Sequence, residues 1–209
     1  MNLKLARCPP RSVRPVLAGL VLLAAGCSLP LPQAQPDLTR YFVLQEGVKP
    51  PAETAQGPAR LIRIDRVDVP AYLLDRPMAV RRGPNEIRYL DAARWAEPLD
   101  QGLARNLMLG LNACAGVRAA ARGSLTEQWD YNLRIQITAC EGDEARHVSF
   151  AANWVLQPAP GSPGQPRSGA FAGRDLAWDG SSAESLAAAL SQGVTQLCEA
   201  VAAAATAQL

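Results

Sequence analysis

Trp129-Asp130-Tyr131-Asn132-Leu133-Arg134-Ile135-Gln136-Ile137-Thr138-Ala139-Cys140 alternates in chemistry from end to end. Trp129, Tyr131, Leu133, Ile135, Ile137 and Ala139 occupy one parity, and Asp130, Asn132, Arg134, Gln136, Thr138 and Cys140 the other. Successive side chains of a strand point to opposite faces, so the segment predicts a strand with one buried and one wet face. Glu141-Gly142-Asp143-Glu144 reads as a turn. Beyond it Val148, Phe150, Ala152, Trp154 and Leu156 repeat the alternation. Two such strands in succession predict an antiparallel sheet covered on a single side.

Working outward, Gln157 to Gly169 carries four prolines and predicts an exposed loop. A last strand is expected from Ala170 to Trp178. Ser181 and Glu184 then read as a capping box for a helix whose apolar stripe is Leu186, Leu190, Val194, Leu197 and Val201. Upstream, Tyr41 to Leu44 predicts a short first strand and Arg60 to Val69 a second. Ile62 and Ile64 lie on one parity of that second strand, whereas Val67 and Val69 lie on the other, the mark of a bulge. Pro70 ends it, with a turn over Ala71-Tyr72-Leu73. Met78 to Arg82 and Glu86 to Leu90 flank Gly83-Pro84-Asn85 as a hairpin. A helix is expected to open near Trp95 to Pro98, to run through Leu99, Leu103, Leu107 and Leu111, and to close over Asn112 to Gly116. The order of strands, helix, strands and helix predicts an α+β fold, a two-layer sandwich of a mostly antiparallel sheet with both helices on one face.

The N-terminal stretch has a different character. Lys4, Arg7, Arg11 and Arg14 precede an apolar core from Val16 to Leu23, and Ala24-Ala25-Gly26-Cys27 follows. A basic region, a short apolar core and a small-residue exit form a secretory signal. The core is too short to span a bilayer, which needs about 20 residues. A cysteine directly after Ala-Gly matches a bacterial lipobox, with Ala24 where leucine is commoner. On that reading Cys27 is acylated after cleavage behind Gly26; the alternative is an ordinary signal with a chance cysteine. Aspartate after the cysteine would favour inner-membrane retention, and Ser28 stands there instead, which points to the outer membrane, facing the periplasm. The expected organisation is a signal over 1–26, a lipidated, proline-bearing tether over 27–39 and one domain over 40–209.

Removing the signal leaves 183 residues, with 17 Lys+Arg against 19 Asp+Glu. A mature charge of −2 gives no electrostatic case for nucleic acid. Cys114, Cys140 and Cys198 remain in an oxidising compartment. If both helices cover the same sheet face, Cys114 and Cys198 are the pair that can approach, while Cys140 lies on the polar parity. No Cys-x-x-Cys spacing suggests a metal, and no phosphate-binding glycine loop suggests a nucleotide, so no cofactor is expected. His147, the single histidine, reads as a surface residue without a nucleophile in a Gly-x-Ser-x-Gly setting. Glu97 and Asp100 read as a solvated first helical turn rather than a catalytic pair. Arg81, Arg82 and Arg88 form a basic spot that reads either as a solvated edge or as a contact for phosphate head groups or an acidic partner. Nothing in the chain assembles an enzyme.

The stretch Val69-Pro70-Ala71-Tyr72-Leu73, followed after the hairpin by Arg94-Trp95-Ala96-Glu97-Pro98-Leu99, resembles the PqiC/YmbA-like ABC-type transport auxiliary lipoproteins. Tyr41-Phe42-Val43-Leu44, the strand ending at Cys140, the Trp154 strand and the closing alanine-rich helix fall in that family's order, so the likeness spans nearly the whole mature chain. The resemblance implies a non-catalytic part of an intermembrane lipid transport machine. Its partners would be an MCE-domain periplasmic protein and inner-membrane transporter components, with phospholipid contact and homo-oligomerisation left open. Pro70, Tyr72, Leu73, Trp95, Pro98 and Leu99 match the family pattern, as core or interface residues. Two further readings stay open, an envelope lipoprotein regulating cell-wall enzymes and a stand-alone lipid carrier.

Overall fold

The structure, a computed structural model, describes residues 36–45, 59–123 and 128–207. The expected signal, Cys27 and most of the tether lie outside the described residues. Among the described residues there are eight strands: β1 (Arg40–Phe42), β2 (Arg60–Asp68), β3 (Pro77–Arg82), β4 (Glu86–Trp95), β5 (Val117–Ala121), β6 (Tyr131–Asp143), β7 (Val148–Pro158) and β8 (Arg167–Ala172). Two helices, α1 (Leu99–Ala113) and α2 (Ala183–Thr206), accompany them, with a 3-10 turn over Ala71–Leu73. The alternating segment at 129–140 lies mostly within β6, the longest strand and the centre of the sheet. β7 runs antiparallel along one edge of β6 and carries β8 beyond it. The other edge of β6 is shared. Its first half pairs in parallel with β2, and its end at Gly142 and Asp143 pairs in parallel with Val80 and Arg81 of β3. From there the sheet runs through β4 to β1 on one side and from β2 to β5 on the other.

The fold class is the expected α+β. The sheet is mixed, with longer antiparallel ladders and four parallel pairings. Parallel neighbours need long crossovers rather than tight turns, so local sequence carries no sign of them. The core gathers Ile62, Leu133, Ile135, Ile137, Phe150 and Leu156 from the sheet. They meet Leu103, Leu107 and Leu111 of α1 and Leu186, Leu190, Leu197 and Val201 of α2, all at most 2 % exposed. Burying each such side chain contributes about 1.5–3 kcal/mol. α2 comes close enough to β7 that a Cβ at Gly193 would meet the Phe150 ring at 2.7 Å, so only glycine fits there.

Two bulges decide which side chains reach the core. In β2 the register shifts between Ile64 and Arg66, leaving Asp65 as the extra residue and turning Val67 inward, as the parity change predicts. In β6 the register shifts between Ile137 and Ala139, which the unbroken alternation does not announce. Thr138 is the extra residue, and beyond it the faces exchange. Cys140 therefore opposes Phe150 and lies in the core at 2 % exposure, not on the polar face.

Other local expectations shift. Glu141 to Asp143 continue β6 instead of turning. Trp95 ends β4 rather than opening a helix, and α1 starts after Pro98 at its N-cap. The last strand is Arg167–Ala172; Leu176 and Trp178 follow it as buried residues of an irregular segment. α2 is capped by Ser182, whose Oγ accepts from the Ser185 N–H, while Ser181 N–H and Oγ donate to Asp179. β5 is an additional strand. Its Val-Arg-Ala-Ala-Ala sequence is too short and too uniform to show a period.

Candidate functional site

The six family-pattern residues divide between two places that the chain brings together. Pro70, with φ −55° and no N–H to donate, stops β2 and starts the 3-10 turn. The turn buries Leu73 at 3 % exposure and aims the Tyr72 hydroxyl at Glu141, to whose Oε2 it donates at 2.9 Å. The Tyr72 carbonyl accepts from the Tyr89 hydroxyl at 2.9 Å. Immediately after the turn, the Arg76 carbonyl accepts from the Trp95 N–H at 2.7 Å, which joins the two halves of the motif. Trp95 and Leu99 are 4 % and 2 % exposed, part of the core that α1 closes. Pro98 supplies the extended residue from which α1 sets out.

Glu141 is the unusual group. Its carboxylate is 1 % exposed, and it receives four donors: Arg81 Nε at 2.9 Å and Nη2 at 2.6 Å on Oε1, with Tyr72 and the Cys140 N–H at 2.8 Å on Oε2. A carboxylate taken out of water costs several kcal/mol unless its lone pairs are met, and here all of them are. Burial, and then the bond to Glu141, pushes the Tyr72 phenol up to about 12. Pairing with Glu141 likewise raises the Arg81 guanidinium above its ordinary value. No lone pair is left over to take a substrate proton. The cluster is a clamp that fixes the 3-10 turn, β3 and the end of β6 to one another.

This clamp rewrites the expected basic spot. Arg81 turns inward, and Arg82 faces Glu86 at 3.8 Å and Glu144 at 3.4 Å. Glu97 pairs with Arg105 at 2.6 Å and not with Asp100. His147 is exposed beside Asp143, with Nδ1 at 3.2 Å from the carboxylate. Cys114 and Cys198 both lie against Gly110 of α1. Cys114 Sγ donates to the Gly110 carbonyl at 3.3 Å, and Cys198 Sγ sits 2.6 Å from where a Cβ would stand. Both are thiols in this structure, and burial pushes the Cys198 thiol up to about 12. Sequence reasoning missed Glu141, because its partners are supplied from 60 and 69 residues away.

A family model described as "ABC-type transport auxiliary lipoprotein component" matches residues 42–202. No curated protein gives a significant match. Among solved structures, an uncharacterized protein aligns with TM-score 0.62 and 21 % identity over 78 % of this chain and 96 % of its own. A Xanthomonas campestris protein of the DUF330 family aligns with TM-score 0.60 and 20 % identity over 78 % and 92 %. At these identities the structures support the fold, and the family match reaches from the end of β1 to within about one turn of the end of α2.

Proposed function

Since this chain belongs to the family of ABC-type transport auxiliary lipoprotein components, we propose that it is the outer-membrane end of an intermembrane lipid transport system of the MCE/ABC type. The family role is auxiliary and not catalytic. In this reading the domain docks a periplasmic MCE-domain protein that connects to inner-membrane transporter components, and it faces the periplasm on a tether. The observation that carries it is the family match over 42–202 behind a lipobox ending at Cys27. Each buried acyl CH₂ contributes about 0.8 kcal/mol, and more than one chain is needed for stable anchoring. A triacylated Cys27 would meet that need without a membrane-spanning helix. Cys27→Ala is expected to leave the domain folded and to move it from the membrane fraction to the soluble envelope fraction. Retention of Cys27→Ala in washed membranes argues against the anchor.

A disulfide between Cys114 and Cys198 belongs to the same proposal. The arrangement of both thiols about Gly110 supports it, and Cys140 is occupied in the core. Formation removes two protons and two electrons, which an oxidising envelope dithiol–disulfide carrier accepts. In protein isolated from the envelope without reductant, Cys114 and Cys198 are expected to resist alkylation under denaturing conditions until a reductant is added. Alkylation of both without reductant sinks the pairing.

A further inference from the structure

We propose that the face of the sheet turned away from the helices at β2, β5 and β6 is a binding site for a phosphate-bearing anion. This goes beyond the docking role and stands without it. On β2, Ile62 and Ile64 face the helices, so Leu61 and Arg63 face away, in register with Arg118 and Ala120 of β5. Past the Asp65 bulge, Arg66 and Arg134 lie opposite each other on the same face. Arg122 reaches that face from the end of β5, with Nη1 at 3.7 Å from Asp65. Five guanidinium groups (Arg63, Arg66, Arg118, Arg122 and Arg134) thus share the face with three carboxylates, Asp65, Asp68 and Asp130, the last already taken by the Leu61 N–H and by Arg60 at 3.6 Å. The mature chain carries −2 in total, so the basic excess is concentrated here against an acidic remainder.

The acids present do not saturate this cluster. Asp65, 15 % exposed at its side chain, is approached by Arg63 at 4.0 Å, Arg122 at 3.7 Å and Arg134 at 3.3 Å, one negative charge among three positive ones. Arg63 lies over the Trp129 ring, its Cζ 3.8 Å from the centroid, a contact that restricts the guanidinium fork before any ligand arrives. Arg63 Nε, Trp129 Nε1 and Asn132 Oδ1, all without a hydrogen-bond partner, gather at this point, with Asn132 opposite Arg63 in register. Beside them a cleft of about 380 Å³ wraps the β5 edge, lined by Leu61, Arg63, Arg118 and Trp129 on this face and by Asn112 and Ala119 toward α1. A volume in the range of about 300–1,000 Å³ suits a small ligand, and this one offers an arginine rim over an apolar floor. Oriented arginine forks bind phosphate oxygens with paired charge-assisted bonds.

Trp129 reports on the site directly, because Trp95, Trp154 and Trp178 are buried in the core. The experiment titrates the full chain in a non-ionic detergent with glycerophosphoglycerol, the soluble headgroup of a phospholipid, and separately with inorganic phosphate. Saturable change in tryptophan fluorescence is expected, weakened about tenfold or more in Arg63→Gln/Arg134→Gln, which removes two charge-assisted contacts. Arg118→Gln, outside the Asp65 cluster, is expected to weaken binding with an unchanged unfolding midpoint. Tighter binding of glycerophosphoglycerol identifies a lipid headgroup as the source, and tighter binding of inorganic phosphate identifies the free anion. Absence of a saturable response to either probe, or a response that survives in both variants, overturns the site.

Discussion

Arg81→Met is expected to destabilise the domain by about 3 kcal/mol, at the lower end of the range of about 3–5 kcal/mol for breaking a buried ion pair from one side. The lower end applies because the Arg81 side chain keeps 35 % exposure and water screens part of its charge. Its partner has no such relief: Glu141 stays 1 % exposed and would lose both donors on Oε1. Replacing both partners, as in Arg81→Met/Glu141→Leu, should recover part of the loss: it removes the buried charge together with its counterion but leaves the Tyr72 hydroxyl and the Cys140 N–H without their acceptor. Urea unfolding of the two variants and the wild type measures both numbers. A single-variant loss below about 1 kcal/mol would mean that Glu141 is solvated, as at an ordinary surface pair.

Trp95→Ala carries the second large effect, an expected loss of about 3–5 kcal/mol for deleting a buried aromatic side chain. Trp95 is 4 % exposed, ends β4, and packs in the cluster that contains Leu99 and Leu103. The experiment also separates two meanings of the family pattern. A core Trp95 lowers the unfolding midpoint when truncated, whatever the partner. An interface Trp95 would leave the midpoint unchanged and weaken complex formation. The burial favours the first outcome, with Leu99→Ala as a companion in the same direction.

Much of the sheet is legible from residue order because half-buried strands write their period into the chain. β6 and β7 could be read directly, as could the leucine stripes of both helices and the bulge in β2, where the parity of the isoleucines gives way to that of the valines. The bulge at Thr138 could not, since Thr138, Ala139 and Cys140 are small enough to suit either face. That single inserted residue moves Cys140 into the core and Glu141 onto the face where Arg81 and Tyr72 wait. A charged residue beside glycine and aspartate reads as a turn when only neighbours are considered. The partners that make its burial tolerable come from β3 and the 3-10 turn, through a parallel pairing that has no local signature. The arginine cluster around Asp65 was hidden for the same reason. Arg63, Arg122 and Arg134 are scattered in sequence and meet only when β2, β5 and β6 are laid side by side.

The membership of this chain among ABC-type transport auxiliary lipoproteins leaves the identity of its partners as the central question. Affinity isolation of the tagged, full-length protein from its own cells in mild detergent, with identification of both proteins and lipids, addresses that most directly. Recovery of an MCE-domain protein together with inner-membrane transporter components is the expected result, and it would also show which system the protein serves. Phospholipid at fixed stoichiometry without those partners would point instead to a stand-alone carrier. Recovery of cell-wall synthesis proteins alone would contradict the transport assignment.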